Sequence, residues 1–207
     1  MEHTLYIVDD DDGMRAAMAR MLRRAGYPVE DFASADHFLE ARSDDAPGVL
    51  ILDLRMPGMD GLGLQHALAE RGARLPVIMI TGAADVASAV AAMRLGAIDV
   101  LEKPFDEAAL LERVGLAIRR DQEIREQEFR RRAAERRLDR LTATERRILG
   151  LLSAGHSTKA IALRLGLSVR TIETHRYNIK RKTQVRSLPE MMSLGLQGMS
   201  KTGGEPT

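Results

Sequence analysis

Segments typical of strands and of helices alternate five times in the first 118 residues of the chain. The predicted strands cover residues 4–8, 29–32, 49–53, 77–81 and 98–101, and the predicted helices cover residues 13–25, 35–42, 62–71, 86–95 and a segment from 107 onward. This alternation favours an α/β doubly wound parallel sheet with helices on both faces. Residues 49–52 and 77–80 are apolar without alternation, as in strands buried on both faces. We therefore expect a five-stranded sheet with these two strands in its middle.

Charge is distributed unevenly between the two halves of the chain. Residues 1–118 carry 20 acidic and 11 basic side chains, a balance of −9, whereas residues 119–207 carry 10 acidic and 20 basic ones, a balance of +10. The two balances sum to the net charge of +1. An acidic half joined to a basic half indicates two domains with different partners, and the basic one is a candidate for binding a polyanion.

The composition also excludes several classes of protein. With no cysteine, the chain has no disulfide framework, thiolate zinc site or cysteine nucleophile, which fits a reducing compartment. The first 12 residues include four aspartates where a signal peptide needs basic and then apolar residues, and no apolar run is long enough to span a membrane. We therefore expect a cytoplasmic protein with no membrane partner. A P-loop is excluded because no Gly-x-x-x-x-Gly-Lys-Ser/Thr motif occurs.

Polar side chains follow four predicted strands at their carboxyl ends, where open parallel sheets bind ligands. They are Asp9 and Asp10, Asp53, Thr81, and Lys103. Carboxylates that converge repel one another unless a hard cation holds them, and oxygen ligands suit Mg²⁺. Asp53 is then a candidate nucleophile that forms an aspartyl phosphate, with Thr81 and Lys103 stabilising the transferred oxygens. Each polar residue alone could be an ordinary structural residue, but their joint pattern favours a phosphoryl site.

Four ordered segments resemble the receiver domain of bacterial response regulators. They are Val8-Asp9-Asp10, residues 53–61, Thr81-Gly82-Ala83 and Lys103-Pro104-Phe105. The resemblance covers nearly all of residues 3–120 and implies a flavodoxin-like fold. It implies that a sensor histidine kinase phosphorylates Asp53 and that the peptide before Pro104 is cis. It further implies that Thr81 and Lys103 contact the phosphoryl group, and that Mg²⁺ is held by Asp9, Asp10, Asp53 and the backbone carbonyl of Arg55.

Other aspartates near these segments have structural interpretations. Asp11 and Asp12 are predicted to be a helix cap and a first-turn residue, because acids suit a helix N-terminus. Asp60 and Asp99 are interpreted as turn residues. The resemblance departs from the receiver pattern at Val100, a position that often holds an aromatic residue.

A highly charged segment separates the two predicted domains. Of the 22 residues from 119 to 140, 15 are charged, 9 of them Arg and 6 acidic. Acids placed four residues before bases, such as Asp121 before Arg125, favour an exposed helix. No clean apolar heptad indicates a coiled coil. The predicted domains are a receiver domain over residues 1–120, a charged, helical linker over 121–140, a small all-α domain over 141–199 and a disordered tail over 200–207.

Start and stop signals after residue 140 predict four short helices. The signals are the capping boxes Thr142 to Glu145 and Ser187 to Glu190, a cap at Ser168, and stops at Gly155 and Gly166. Two helices joined by a turn suit a DNA-binding motif. Leu141-Thr142, Glu145-Arg146 and residues 159–162, 165–168 and 171–175 resemble the LuxR-type helix-turn-helix. The resemblance covers about residues 138–198 and implies that residues 168–182 form the recognition helix and that the fourth helix helps to form a dimer.

One face of the predicted recognition helix is polar and mostly basic. The candidate DNA contacts are Arg170, Thr171, Glu173, Thr174, Arg176, Tyr177, Lys180, Arg181 and Lys182. Glu173 either accepts from a cytosine amino group or pairs with Arg170 or Arg176. Val169, Ile172 and Ile179 share the opposite face, with His175 between them as a packing residue. A balance of +8 over residues 141–201, from 11 basic and 3 acidic side chains, favours contacts to phosphates.

The two resemblances together indicate the FixJ/NarL class of transcriptional regulators, which are not enzymes although the receiver assists its own phosphorylation and dephosphorylation. Phosphorylation of Asp53 would promote a homodimer through residues 86–94 and the fifth strand, and so control binding to double-stranded operator DNA. RNA polymerase is a further candidate partner. In a competing mechanism, the acidic receiver masks the DNA-reading helix until it is phosphorylated. Two other hypotheses are a phosphotransfer relay with incidental DNA binding and a DNA-binding regulator indifferent to phosphorylation.

Overall fold

A computed structural model of the chain describes residues 3–42, 46–82 and 86–199. Contacts divide the chain into two compact units, residues 1–125 and residues 126–207. The elements of the first part of the chain are β1 (Thr4–Val8), α1 (Asp12–Arg24), β2 (Val29–Phe32), α2 (Ala35–Ala41), β3 (Gly48–Asp53), α3 (Gly61–Glu70), β4 (Val77–Thr81), α4 (Val86–Arg94), β5 (Asp99–Glu102) and α5 (Glu107–Leu138). The alternation of strands and helices predicted from the sequence is confirmed.

The five strands form one sheet in the order β2-β1-β3-β4-β5, with every neighbouring pair parallel. All residues of β3 and β4 are buried, which confirms their predicted place in the middle of the sheet. Successive side chains of a strand point to opposite faces, so β3 serves two cores. Leu50 and Leu52 pack with Phe38 on one face, while Val49 and Ile51 pack on the other.

Helix α5 buries a charged side chain where the sequence predicts an exposed linker. Its first turns, as far as Ala117, pack into the sheet core, and one turn later Asp121 is also fully buried. The Asp121 carboxylate accepts from Arg125 Nε at 2.8 Å and lies 3.2 Å from His3 Nε2. Arg125 also donates to the carbonyl of Ala46 at 2.8 Å. The predicted pair of Asp121 with Arg125 therefore exists, but the expectation that it lies on an exposed face is wrong.

The second unit contains four helices, which are α6 (Ala143–Ser153), α7 (Thr158–Leu165), α8 (Val169–Thr183) and α9 (Leu188–Met199). The capping box of α6 is confirmed, because Thr142 N donates to Glu145 and Glu145 N donates to Thr142 Oγ1, at 2.8 and 3.2 Å. The box of α9 differs. Glu190 N donates to Ser187 Oγ, but the Glu190 carboxylate accepts from Arg186 N rather than from Ser187 N.

The core of the second unit contains apolar residues from all four of these helices and from the end of α5. Its fully buried members are Ile148, Ile161, Ile172 and Ile179. Helix α9 approaches α6 closely, since a Cβ added at Gly195 would lie 2.0 Å from Ser153 Oγ. Val169 is 41% exposed, so its predicted place in the packing face is wrong, whereas His175 is half-buried as expected. The predicted tail, residues 200–207, lies outside the described residues.

Candidate functional site

Four of the predicted site residues meet at the carboxyl edge of the sheet. Asp9 directly follows β1, Asp53 ends β3, Thr81 ends β4, and Lys103 directly follows β5. The parallel register places these strand ends side by side, with Asp53 opposite Ile80 and Thr81 opposite Glu102. Asp9, Asp53 and Thr81 are 1%, 7% and 5% exposed. The side chains predicted to converge are therefore adjacent and largely shielded from solvent.

The Lys103 ammonium bridges the two buried carboxylates. Its Nζ lies 2.5 Å from Asp53 Oδ1 and 3.1 Å from Asp9 Oδ2. Asp53 Oδ2 accepts from the backbone N–H of Arg55 at 2.7 Å, and Asp9 Oδ1 accepts from that of Asp11 at 2.9 Å. Strand β4 holds the lysine in place, because the backbone N–H of Lys103 donates to Thr81 O at 2.8 Å.

The cluster has two buried carboxylates but only one ammonium. Burial raises the pKa of Asp9, and the hydrogen bonds from Asp11 and Lys103 oppose this rise without cancelling it. Burial by itself lowers the pKa of Lys103, but the hydrogen bonds to Asp53 and Asp9 outweigh it and raise this pKa. One ammonium therefore serves two carboxylates.

In the described part of the chain, neither Asp10 nor Thr81 forms a side-chain hydrogen bond with the two buried carboxylates. Asp10 is exposed, and Thr81 Oγ1 donates to Gly82 O at 3.1 Å rather than to a carboxylate. Asp11 caps α1 by accepting from Met14 N, as predicted. Within residues 3–42, 46–82 and 86–199, no group of three or more His, Cys, Asp or Glu side chains is arranged to hold a metal ion.

Two aspartates interpreted as turn residues have more definite roles. Asp60 is the N-cap of α3 and accepts from Gly63 N at 2.8 Å. Asp99 begins β5 and pairs with Arg113, so its interpretation as a turn residue is wrong. The peptide between Lys103 and Pro104 is cis, as the family resemblance implies.

Sequence reasoning missed the close packing behind Asp53. A Cβ at Gly61 would lie 2.4 Å from the Asp53 carbonyl oxygen and 2.9 Å from Leu54 Cα. The residue at this position must lack a side chain because both contacts are backbone atoms. Its only signal in the sequence is a glycine at the start of a predicted helix, where a cap residue is more usual.

The exposed face of α8 carries most of the predicted DNA contacts. Arg170, Glu173, Thr174, Tyr177, Lys180 and Arg181 are exposed, and Thr171, Arg176 and Lys182 are partly exposed. Arg176 Nη1 donates to Thr158 Oγ1 at 2.9 Å, which ties α8 to the first residue of α7. Among the described side chains, Glu173 forms no ion pair with Arg170 or Arg176, so that alternative from the sequence is not found.

Lys182 has a structural partner inside the domain. Its Nζ lies 2.7 Å from Glu145 Oε2, and the Glu145 side chain is only 4% exposed. Burial raises the pKa of Glu145, but the hydrogen bonds from Lys182 and Thr142 outweigh it and lower this pKa. The ammonium of Lys182 thus compensates a buried carboxylate, which sets it apart from Lys180 and Arg181 on the same helix.

Comparisons with known proteins agree with this division of the chain. A family model described as the response regulator receiver domain matches residues 5–115, and one described as bacterial regulatory proteins, luxR family, matches residues 139–194. The transcriptional regulatory protein FixJ of Azorhizobium caulinodans is 41% identical over 192 residues, which are 93% of this chain and 91% of that protein. The response regulator protein TodT of Pseudomonas putida is 37% identical over 188 residues, 91% of this chain and 83% of its own length.

Solved structures of two response regulators match nearly the whole chain. A structure of the response regulator StyR matches with a TM-score of 0.81 and 38% identity, covering 94% of this chain and 98% of that chain. Full-length FixJ from B. japonicum matches with a TM-score of 0.60 and 36% identity, covering 96% of this chain and 98% of that chain. No helix in the described part of the chain is both long and apolar enough to cross a membrane. The chain therefore belongs to the response regulators that join a receiver domain to a LuxR-family DNA-binding domain, and it is a transcription regulator.

Proposed function

We propose that Asp53 accepts a phosphoryl group from a sensor histidine kinase, and that this modification controls sequence-specific DNA binding by the second unit. The observation that carries the proposal is the Asp53 carboxylate, which is buried at the carboxyl end of β3 with Lys103 2.5 Å from Oδ1. One oxygen of this carboxylate attacks the phosphorus of a phosphohistidine. The new O–P bond forms as the P–N bond breaks, and the histidine nitrogen leaves with the bonding electrons.

Lys103 and Thr81 stabilise charge on the transferred oxygens in this reaction. Most of the catalysis of phosphoryl transfer consists of positioning and electrostatic stabilisation. The ammonium is already in contact with the nucleophile, and the Thr81 hydroxyl ends the neighbouring strand. Rotation of the hydroxyl away from Gly82 O would bring it toward an incoming phosphoryl oxygen.

The donor set at this edge fits Mg²⁺. The raised pKa of Asp9 reports a buried carboxylate that lacks full compensation, and oxygen donors beside solvent suit this ion. Asp9, Asp53, the exposed Asp10 and the backbone carbonyl of Arg55 would hold it. Bound there, Mg²⁺ would neutralise charge on the transferred phosphoryl oxygens.

Dimerisation through α4 is the next step of the proposed mechanism. Val86, Val90 and Met93 on this helix are 73%, 45% and 48% exposed, which gives α4 an apolar surface without a partner among the described residues. A second copy would cover this surface and bring two DNA-binding units onto one operator. This dimer is the proposed route from Asp53 to transcription, in preference to masking of α8 by the acidic receiver.

The test compares the full chain with the variant Asp53→Asn, in the presence of Mg²⁺ and acetyl phosphate. Asp36→Asn is the matched control, since Asp36 is exposed in the first turn of α2. Wild type and Asp36→Asn should incorporate phosphate, sediment as dimers and select a DNA sequence from a random pool more tightly, and Asp53→Asn should do none of these. Phosphate incorporation without DNA selection would indicate a relay, and equal DNA selection by all three proteins would indicate a regulator indifferent to phosphorylation.

A further inference from the structure

The guanidinium of Arg15 contacts the backbone of the acidic site, although the sequence motifs assign this residue no role. Arg15 lies in the first turn of α1, and its side chain is only 14% exposed. Side chains on a helix point back toward its start, so that of Arg15 extends toward the end of β1. Its Nη1 donates there to the backbone carbonyl of Asp9 at 2.7 Å.

The other two nitrogens of this guanidinium face carboxylates on two different elements. Nη2 pairs with Asp12, the first residue of α1, and Nε lies 3.6 Å from Asp31 Oδ2 on β2. A planar guanidinium holds its donors in a fixed fork, which the single ammonium of a lysine does not reproduce. Arg15 therefore joins the end of β1, the start of α1 and strand β2 at one point.

Asp9 is held at its backbone and at its side chain. Its backbone N–H donates to Phe32 O at 3.3 Å, and its carboxylate oxygens accept from Asp11 N and from Lys103 Nζ. Its carbonyl accepts from Arg15. Of these four contacts, only those with Lys103 and Arg15 come from side chains, and Lys103 itself contacts the nucleophile. The Arg15 contact can therefore be removed by substitution without changing a residue of the site.

The carbonyl that Arg15 binds belongs to the peptide between Asp9 and Asp10. Both residues are proposed ligands of Mg²⁺, and their carboxylates are attached on either side of this peptide. Asp9 is 1% exposed, and a buried carbonyl that loses its donor turns toward another one. Rotation of this peptide would change the direction of both carboxylates together.

The charge of Arg15 acts against Mg²⁺, whereas its hydrogen bond to the carbonyl favours the site. A cation near the ion repels it, so charge alone predicts tighter Mg²⁺ binding when the arginine is removed. Arg23 provides a comparison on the same helix. It also pairs with Asp31, at 3.0 Å, but its other hydrogen bond goes to Val29 O on β2 rather than to Asp9.

We propose that Arg15 is a positioning residue for the Mg²⁺ site, and that its hydrogen bond to the Asp9 carbonyl fixes the peptide that carries the carboxylates of Asp9 and Asp10. This inference rests on the proposed phosphoryl transfer to Asp53 and adds to it a residue outside the ligand set. Arg15 acts through the backbone of Asp9, in the way that outer contacts orient the ligands of metal sites.

The experiment measures the Mg²⁺ affinity of the full chain by isothermal titration calorimetry. The variants are Arg15→Lys, which keeps the charge but not the fork, and Arg15→Gln, which removes both. Arg23→Gln is the matched control, because it removes the same charge from the same helix and from the same partner, Asp31. Thermal unfolding without Mg²⁺ reports the folding of each variant, and the rate of phosphate incorporation from acetyl phosphate is measured over a series of Mg²⁺ concentrations.

Both Arg15 variants should raise the Kd for Mg²⁺ by about 10-fold, and Arg23→Gln should keep the Kd of wild type. Half-maximal phosphorylation should then require about 10-fold more Mg²⁺ in the Arg15 variants. The maximal rate should equal that of wild type, because Arg15 contacts neither Asp53 nor Lys103 in the described structure. A merely structural role would lower the melting temperature and the maximal rate while the Kd stayed the same.

Three outcomes would overturn the inference. The first is tighter Mg²⁺ binding by Arg15→Gln with an unchanged Kd for Arg15→Lys, which would leave charge as the whole effect. The second is equal weakening by Arg15→Gln and Arg23→Gln, which would assign the effect to Asp31. The third is the Kd of wild type in every variant. Arg15→Lys decides the comparison if Arg15→Gln does not fold. Failure of the proposed function is distinguishable, because wild type would then incorporate no phosphate while the Kd values for Mg²⁺ remain measurable.

Discussion

Replacing Lys182 with methionine should destabilise the second unit without removing a DNA contact. In the folded protein the Lys182 ammonium lies 2.7 Å from the Glu145 carboxylate, and the two side chains are 30% and 4% exposed. Methionine keeps much of the aliphatic chain but leaves Glu145 with only the N–H of Thr142 as a donor. The change therefore isolates the cost of a buried carboxylate that has lost its cation.

The expected loss is about 2 kcal/mol of unfolding free energy. A hydrogen bond to a charged group contributes about 1.5–3 kcal/mol, and breaking a fully buried ion pair costs about 3–5 kcal/mol. The lower range applies because Lys182 is partly exposed and solvent reaches the site. For a domain of this size each kcal/mol corresponds to about 4–8 °C, so the melting temperature of the second unit should fall by about 8–16 °C.

The pH dependence supplies a second signature. The pKa of Glu145 is lowered in the folded state, so the stabilisation by its ionised form is complete above the unfolded pKa and is lost as the pH falls through the folded pKa. In Lys182→Met, burial is opposed only by Thr142, and protonation relieves the buried charge. The difference between wild type and variant should therefore be largest near neutral pH and should shrink in acid.

Differential scanning calorimetry of the full chain measures this loss, and hydrogen exchange of α6 amides assigns the transition to the second unit. Lys159→Met is the matched control, since Lys159 is exposed on α7. The double variant Glu145→Gln with Lys182→Met should recover most of the stability because no charge is then buried. A melting temperature for Lys182→Met equal to that of Lys159→Met would refute the reasoning. So would a slope of log Kd for DNA against log salt lowered by about 1.8, which is the loss of one phosphate contact in each copy of the dimer.

Three further predictions follow from single contacts. Gly61→Ala should cost about 1–3 kcal/mol of receiver stability and slow phosphorylation of Asp53, since the added Cβ would lie 2.4 Å from Asp53 O. Gly115→Ala on α5 is the control and should be tolerated. Calorimetry measures the stability of each variant, and phosphate incorporation from acetyl phosphate measures its phosphorylation. Glu173→Gln should strengthen binding to a duplex of mixed sequence, because a carboxylate that repels phosphate is removed. It should also lower the ratio of the affinity for a duplex selected by wild type to the affinity for the mixed-sequence duplex. Unchanged affinities for both duplexes would contradict this. Asp9→Asn should raise the melting temperature of the receiver in Mg²⁺-free buffer near neutral pH and abolish stabilisation by Mg²⁺. The pKa of Asp9 is raised in the folded state, so the stability of the wild-type receiver falls as the pH rises from the unfolded toward the folded pKa. A lower melting temperature for Asp9→Asn under these conditions would contradict this.

The helices, the strands and the edge of the sheet that holds the acidic site follow from the sequence for local reasons. A run such as residues 49–52 is apolar on both faces, and a capping box such as Thr142 with Glu145 joins residues only three positions apart. The convergence of Asp9 and Asp53 also follows, because parallel strands place their carboxyl ends at one edge. These signals depend on neighbours in sequence, so periodicity and spacing are sufficient to find them.

Which charged residues are structural depends on the packing between elements. Asp121 and Lys182 both lie in charged segments that predict solvated faces, yet the first is fully buried beside His3 and the second pairs with Glu145, 37 residues away. The close approach of Gly61 to the Asp53 backbone also depends on the tertiary structure. So does the placement of Arg186 and Lys180 around one hollow between α8 and α9. Burial and pairing depend on distances between elements that pack together, and no pattern of neighbouring residues contains those distances.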